Sequence, residues 1–458
     1  EQMKKTLCIL LCLPIMTLAQ QTYVPDDNFE QALINLGYDN VLDDYILTAN
    51  INTIQYLNVS GQFIADLTGI EDFVLLKSLD CDQNQITSLD VSNNIALEHL
   101  GCGCNCSSGN LLTSLDVSQN VNLTWLQCEE NQLTNIDLSN NPLLTFLGLS
   151  ANQLTTLDVS NNLFLEEVTC GWNPLVSLDF TNNLELKKLV ISNPFHWDGA
   201  LYLGSQATIT SLDISLNSKL EWLNMSSNKI SSAAIADKVN LIYLAVSDNL
   251  LSSLDVSNMI NLEQLLCSDF DNVGQLTDLD VSNNPLLWRL HCEGNQLTTL
   301  DLSNNPLMNW LSCEKNNITS LDVSNLSALT MLTCNNNALT ELNIANNNNN
   351  NFESQYPLDP SLVPALDARD NPALSCIEVD DATYSINNWT NVLGFYIDPQ
   401  QYFNNNCGST EVNEGKFYGR KKVIRITDLL GRETKRTNNQ PLFYIFDDGT
   451  VEKRIVIE

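Results

Sequence analysis

LTWLQCEENQLTNIDLSNNPL, residues 123–143, returns as LTFLGLSANQLTTLDVSNNLF at 144–164, as LWRLHCEGNQLTTLDLSNNPL at 287–307 and as MNWLSCEKNNITSLDVSNLSA at 308–328. The apolar residues Leu126, Leu147, Val168 and Leu189 therefore step by 21, and Leu290, Leu311 and Leu332 keep the same step. One such unit cannot bury its own apolar side and needs copies above and below it. A fixed short period accordingly means a stacked solenoid, one long domain that grows by adding coils.

Within the unit the pattern LxxLxLxxNxL occurs twice. Leu123, Leu126, Cys128, Asn131 and Leu133 carry it first, then Leu133, Ile136, Leu138, Asn141 and Leu143. The asparagines form two columns, one from Asn84 and Asn105 through Asn131 and Asn152 to Asn337, the other from Asn94 through Asn120 and Asn141 to Asn347. An inward asparagine at a bend can satisfy backbone groups of its own coil and the next, which buried amides require. Two columns imply two bends and two strands per coil. This pattern resembles the leucine-rich repeat family. The resemblance implies a β-rich solenoid over residues 54–375, with about 13–14 coils and two parallel sheets.

The flanks depart from the repeat. Residues 3–19 have a basic start at Lys4 and Lys5, an apolar run and a small-residue exit at Thr17, Leu18 and Ala19, the pattern of a secretory signal peptide. Met3 reads as the start after two extra residues, the apolar run is too short for a membrane span, and no transmembrane segment is expected in the mature chain. Residues 20–53 contain NFEQALINLGY, where Phe29, Leu33 and Ile34 suit a helix face and Gly37 its end. This resembles the helical cap of internalin-like leucine-rich repeat proteins.

Residues 376–408 resemble the C-terminal cap of secreted leucine-rich repeat proteins from the Bacteroidetes group, which implies a disulfide between Cys376 and Cys407. After a polar linker, 409–416, the segment 417–458 alternates apolar and polar residues. Its DLLGRE turn at 428–433, its strand from Leu442 and its ending from Val451 resemble the sorting domain of type IX secretion substrates. That resemblance implies the type IX machinery as a partner and a secreted or outer-membrane surface location. The family's PGVY-like strand is here PLFY, 441–444.

The net charge of −34 is uneven. From Ser409 onward there are 10 of the 21 basic and 8 of the 55 acidic residues, and Lys4, Lys5 and Glu1 precede residue 20. Residues 20–408 thus hold 9 basic against 46 acidic residues, a net of −37. Such a body repels nucleic acid phosphates, so no nucleic acid partner is expected.

Alternation along strands separates buried from outward residues. The LDVS strands present a nearly constant outward set, such as Thr156, Asp158 and Ser160, or Ser320, Asp322 and Ser324. Its aspartates would stand one strand spacing apart, at a cost of about 1 kcal/mol per pair even in bulk-water dielectric. Calcium, a hard cation, is the ion such a file would attract, with Asp280, Asp301 and Asp322 as weak candidates, although no loop concentrates ligands. No other cofactor is implied.

The other strand differs from coil to coil. The residue before its leucine is Trp125, Phe146, Trp222, Tyr243, Arg289 or Trp310, interspersed with His99, Glu167, Lys188, Gln264 and Met331. Variable outward positions rich in Trp, Tyr and Arg have the composition of binding hot spots. Eight cysteines, from Cys81 to Cys334, fall two residues after the strand leucine, an inward position that suits a small buried hydrophobe. Cys104 and Cys106 stand in the loop GCNCSSGN, 103–110, one of three longer spacings with 193–210 and 268–275.

The histidines have no partner nearby in sequence, no catalytic motif appears, and no enzyme is expected. The reading is a secreted or surface protein that binds a protein or polysaccharide on the variable sheet. The alternative is a structural or adhesive surface protein whose acidic face and calcium matter more.

Overall fold

The computed structural model describes residues 20–104, 109–193, 209–233, 235–270, 274–352, 364–389, 394–408, 423–427, 432, 441–446 and 451–455. The expected signal peptide, the linker, Cys106 and the DLLGRE turn apart from Arg432 lie outside them. The chain divides into two compact units, Glu1–Asn317 and Ile318–Glu458.

The first unit opens with a helix, Asp27–Asn35. Asp26 holds its start, one carboxylate oxygen accepting from the Asn28 and Phe29 amides at 2.9 Å. The other oxygen accepts from the Ala65 and Asp66 amides, so the same side chain ties the helix to the first coil. Phe29, Ala32 and Leu33 are buried, and the Phe29 ring lies 6.5 Å from that of Phe73. Ile34, expected on this face, is only half-buried. It lies about 140° around the helix from Phe29, and Ala32 takes the inward place.

Strands Tyr56–Asn58, Ser78–Asp80, His99–Gly101, Trp125–Gln127, Phe146–Gly148, Glu167–Thr169, Lys188–Val190, Trp222–Asn224, Tyr243–Ala245, Gln264–Leu266, Arg289–His291 and Trp310–Ser312 follow one another in chain order, and each adjacent pair is parallel. Equivalent residues stand side by side, as Trp125 beside Phe146 and Trp222 beside Tyr243. The central residue of each strand points into a core of leucine. The second file, expected as a continuous sheet, pairs only in pieces among the described residues of this unit, at Asp90 with Asp116 and at Ser177–Asp179 with Ser211–Asp213.

Asparagine ladders stitch the coils. In the first, the Asn152 amide donates to the carbonyls of Cys128 and Leu149 at 2.9 and 3.0 Å, and its oxygen accepts from the Leu133 amide at 3.0 Å. In the second, Asn162 donates to the Leu138 and Asn141 carbonyls, while its oxygen is buried without a partner. That position therefore needs donors only. This accounts for Lys238, which replaces the asparagine there, is fully buried and donates its ammonium to the Ser215 carbonyl and the Asp237 carboxylate.

Two ladder assignments are corrected. Asn110 serves the coil after Cys102, accepting from the Ile86 amide and donating to the Cys81 and Cys102 carbonyls, because the longer loop delays the bend, and Asn105 lies outside the described residues. In the second ladder Asn346 is buried and donates to the Leu326 carbonyl, whereas Asn347 turns outward at a φ of 62°.

The residue before most first-ladder asparagines is left-handed, as with Ala151 at a φ of 56°, Glu130 at 53° and Lys315 at 54°. Gly294, at 76°, suits it, and Asp248, Asn336 and Asp370 are of the types that tolerate it. A non-glycine residue in this region costs about 1–2 kcal/mol. Ala151→Gly is therefore expected to raise the unfolding free energy by about 0.5–1 kcal/mol after the added freedom of the unfolded chain is offset, as denaturant melts would show.

In the second unit Met331–Thr333, Leu366–Asp367 and Phe395–Tyr396 form one parallel sheet. Ser320–Asp322, Glu341–Asn343, Cys376–Glu378 and Tyr402–Asn404 form the other, continuous here. Cys376 and Cys407 are joined by a disulfide, with a Cα separation of 5.8 Å. A short helix, Ala382–Asn388, leads to Trp389, which packs against Phe352, Phe395 and Phe403. Val423–Thr427, Pro441–Phe446 and Val451–Ile455 make an antiparallel three-stranded sheet.

Candidate binding face

On the LDVS file one carboxylate oxygen of each aspartate is engaged by its own turn. Asp137 Oδ1 accepts from the Ser139 amide at 2.9 Å, Asp158 from Ser160 at 2.9 Å, and Asp280, Asp301 and Asp322 from Ser282, Ser303 and Ser324 at 2.9–3.0 Å. These are Asx turns, in which the side chain hydrogen-bonds the backbone two residues on. The same serines hold Asp137, Asp158, Asp280 and Asp301 below the usual carboxylate range. The repeated Asp-x-Ser spacing is thus a turn device. Among the described residues no group of three or more His, Cys, Asp or Glu is placed to hold a metal ion.

Because a depressed acid stabilises only while ionised, this contribution is present above the unfolded aspartate pKa and is lost as pH falls through the folded values. Asp158→Asn is expected to leave neutral-pH stability nearly unchanged, since an amide oxygen accepts the same bond. Asp158→Ala lowers it, and comparing the two melts at pH 7 checks this.

The variable face brings the six predicted residues together in three pairs within the first unit. Trp125 and Phe146 stack with ring centroids 3.6 Å apart and planes at 8°. Trp222 and Tyr243 stack at 3.8 Å and 6°. The Arg289 guanidinium lies 4.3 Å over the Trp310 ring. Parallel in-register strands set this geometry, since equivalent side chains stand one strand spacing, about 4.8 Å, apart. Phe146 is consequently buried at 8% exposure, and Trp222 is the most open of the rings at 36%. His99 extends the first stack, 5.8 Å from Trp125, with its Nε2 atom 2.9 Å from Asp80.

Strand alternation places Glu129 on this face, but not its burial or its likeness to Asp82 and Glu293. Asp82, Glu129 and Glu293 all occupy the position after the buried cysteine. Glu129 is 3% exposed, accepts from the Thr169 hydroxyl at 2.9 Å, and is held above the usual carboxylate range by burial. Burial, reinforced by Asp80, pushes Asp82 up to about 6. Burial, then Glu314, pushes Glu293 up to about 8. An acid raised on folding favours its protonated form, so Glu293 lowers stability progressively as pH rises from its ordinary value toward 8. Glu293→Gln is expected to raise the melting temperature at pH 8 and barely change it at pH 4.

The eight inward cysteines, from Cys81 to Cys334, are buried and in no disulfide. Burial pushes the Cys170 thiol up to about 12, far from the reactive range. Cys104 is disulfide-bonded.

This run of inward cysteines bears directly on the comparisons. No family model matches the chain. The functional domain of InlJ from Listeria monocytogenes, described as including a cysteine ladder, is 32% identical, with 79% of this chain and 76% of that one covered and a TM-score of 0.58. The chain belongs to the internalin-like leucine-rich repeat proteins. InlF of Listeria monocytogenes, at 21% identity, shares the leucine-rich repeat fold, with 76% and 96% covered and a TM-score of 0.62. A curated relative, Internalin J of the same species, is 36% identical over 72 residues, which are 16% of this chain and only 8% of that protein's length. Among the described residues no helix is long and apolar enough to cross a membrane.

Proposed function

We propose that this leucine-rich repeat chain is a secreted or surface-displayed binding protein whose variable sheet face takes up a protein partner. The observation that carries this reading is the contrast between the two files. One repeats the same Asx turn and spends its side chains on its own backbone, while the other changes from coil to coil and presents paired aromatic rings.

Stacking favours protein over polysaccharide. A ring that binds sugar offers its flat face, but here Trp125, Phe146, Trp222 and Tyr243 turn faces toward one another and leave edges outward. Ring edges and a guanidinium suit a polypeptide surface. Export by residues 3–19 and outer-membrane passage directed by 417–458 through the type IX machinery belong to the same proposal, as does the division into caps at 20–53 and 376–408 around the solenoid.

An array of extracellular proteins and glycans probed with the full chain tests the reading. Retention on protein spots is expected. Retention on glycans alone would contradict it.

A further inference from the structure

We propose that the end of this face walled by His99, Trp125 and Phe146 is a subsite for an arginine side chain of the protein partner, received by the carboxylates of Asp82 and Glu129. The proposal rests on the preceding reading of the variable sheet as the binding face, and it goes further by naming what one end of that face recognises.

Two glycines shape the subsite. Gly101 and Gly148 occupy outward positions where neighbouring coils carry side chains, Gln127 and Thr169 among them. A Cβ on Gly101 would come within 2.8 Å of Asp80 Oδ1 and 3.4 Å of both Asp82 oxygens, and one on Gly148 within 2.8 Å of Glu129 Oε1. The gaps are therefore filled by carboxylates lying on the outer surface of the sheet.

Their bonding is incomplete. Glu129 is 97% buried; its Oε1 atom takes the Thr169 hydroxyl and Gln127 also bears on the carboxyl, while Gly103 bears on Asp82, yet Glu129 Oε2 and Asp82 Oδ1 are buried without a partner in hydrogen-bond geometry. An unsatisfied carboxylate shielded from water is costly, and it is relieved by a donor arriving with positive charge. The charged groups facing Asp82 and Glu129 are Asp80, His99, Glu130 and Glu167, of which His99 is committed to Asp80 and Glu167 to Lys188. Among the described residues no fixed cation balances the pair.

Guanidinium fits better than ammonium. It is planar, offers five donors in a fork that matches carboxylates, and lies against aromatic rings. The same face already makes such a contact internally, at Arg289 and Trp310. The raised pKa of Asp82, about 6, is the behaviour of a carboxylate short of such a partner.

The test is calorimetric titration of the full chain with a blocked tri-arginine peptide at low salt. The acidic body attracts any polycation, so the decisive comparison is between variants of equal net charge. D82N with E129Q is expected to weaken uptake about tenfold or more, equivalent to about 1.4 kcal/mol, whereas D137N with D158N on the turn file leaves it unchanged. Gly148→Ala, which displaces the Glu129 carboxylate without altering charge, is expected to weaken uptake as well. At pH 6 binding to the unsubstituted chain releases protons, and this release disappears in D82N with E129Q.

Equal weakening by the two double variants, or full uptake by both D82N with E129Q and Gly148→Ala, would overturn the subsite. In that case protein spots retained on the array would leave the wider reading of the face standing.

Discussion

Asn152→Asp is expected to lower the unfolding free energy by more than about 3 kcal/mol at pH 7. The Asn152 amide nitrogen donates to two carbonyls from successive coils, at 2.9 and 3.0 Å, from a position 7% exposed. A carboxylate of the same shape turns both contacts into oxygen facing oxygen and places an unpaired charge in the stack. Its pKa must rise on folding, so the loss is small near pH 3 and grows with pH through the ordinary aspartate range. Urea melts at pH 3 and pH 7 separate this from a packing defect, which would be equal at both.

Removing the disulfide in Cys376→Ser with Cys407→Ser is expected to destabilise the second unit by about 3–4 kcal/mol, the chain-entropy value for a loop of this length. The two cysteines are 31 residues apart and bracket the helix Ala382–Asn388, Trp389 and the last strand of the second sheet. Hydrogen exchange should accelerate at Ile377 and Phe403, both buried in that sheet, while exchange at Leu126 and Leu147 in the first unit stays slow. Reduction with a thiol should accelerate exchange at Ile377 and Phe403 in the same way, but it also opens the Cys104 disulfide in the first unit, so the double substitution is the cleaner test.

The solenoid is legible in the sequence because its period is local and its apolar spacing is set by the strand. Leu126, Cys128, Asn131, Leu138 and Asn141 all lie where the spacing places them. The Asn105 and Asn347 assignments failed where a longer loop or a run of identical asparagines leaves several residues able to reach the bend. The Asp-x-Ser turns carry a signal that was visible as short-range spacing, but charge density drew attention to solvation and calcium instead.

The place of Glu129 on the variable face was legible from alternation, but its burial was not. Its burial depends on the absence of a side chain at Gly148, in the next coil, and on a hydroxyl at Thr169, 40 residues away. The pairing of the six outward residues is equally non-local, because it follows from strand register that no single repeat contains. Lys238 is not legible as a ladder residue, because the need for donors alone at that position shows only in the stacked coils.

The central claim is that recognition belongs to the variable sheet and not to the acidic turn file. Its most direct measurement is the affinity of one protein captured from the array for three full-length chains: unsubstituted, W125A with W222A and W310A, and D137N with D158N and D179N. Loss of at least about a hundredfold in the tryptophan variant, about 3 kcal/mol, with little change in the aspartate variant, is the predicted result. Undiminished affinity after removal of the three tryptophans, with affinity lost from the aspartate variant, would contradict it.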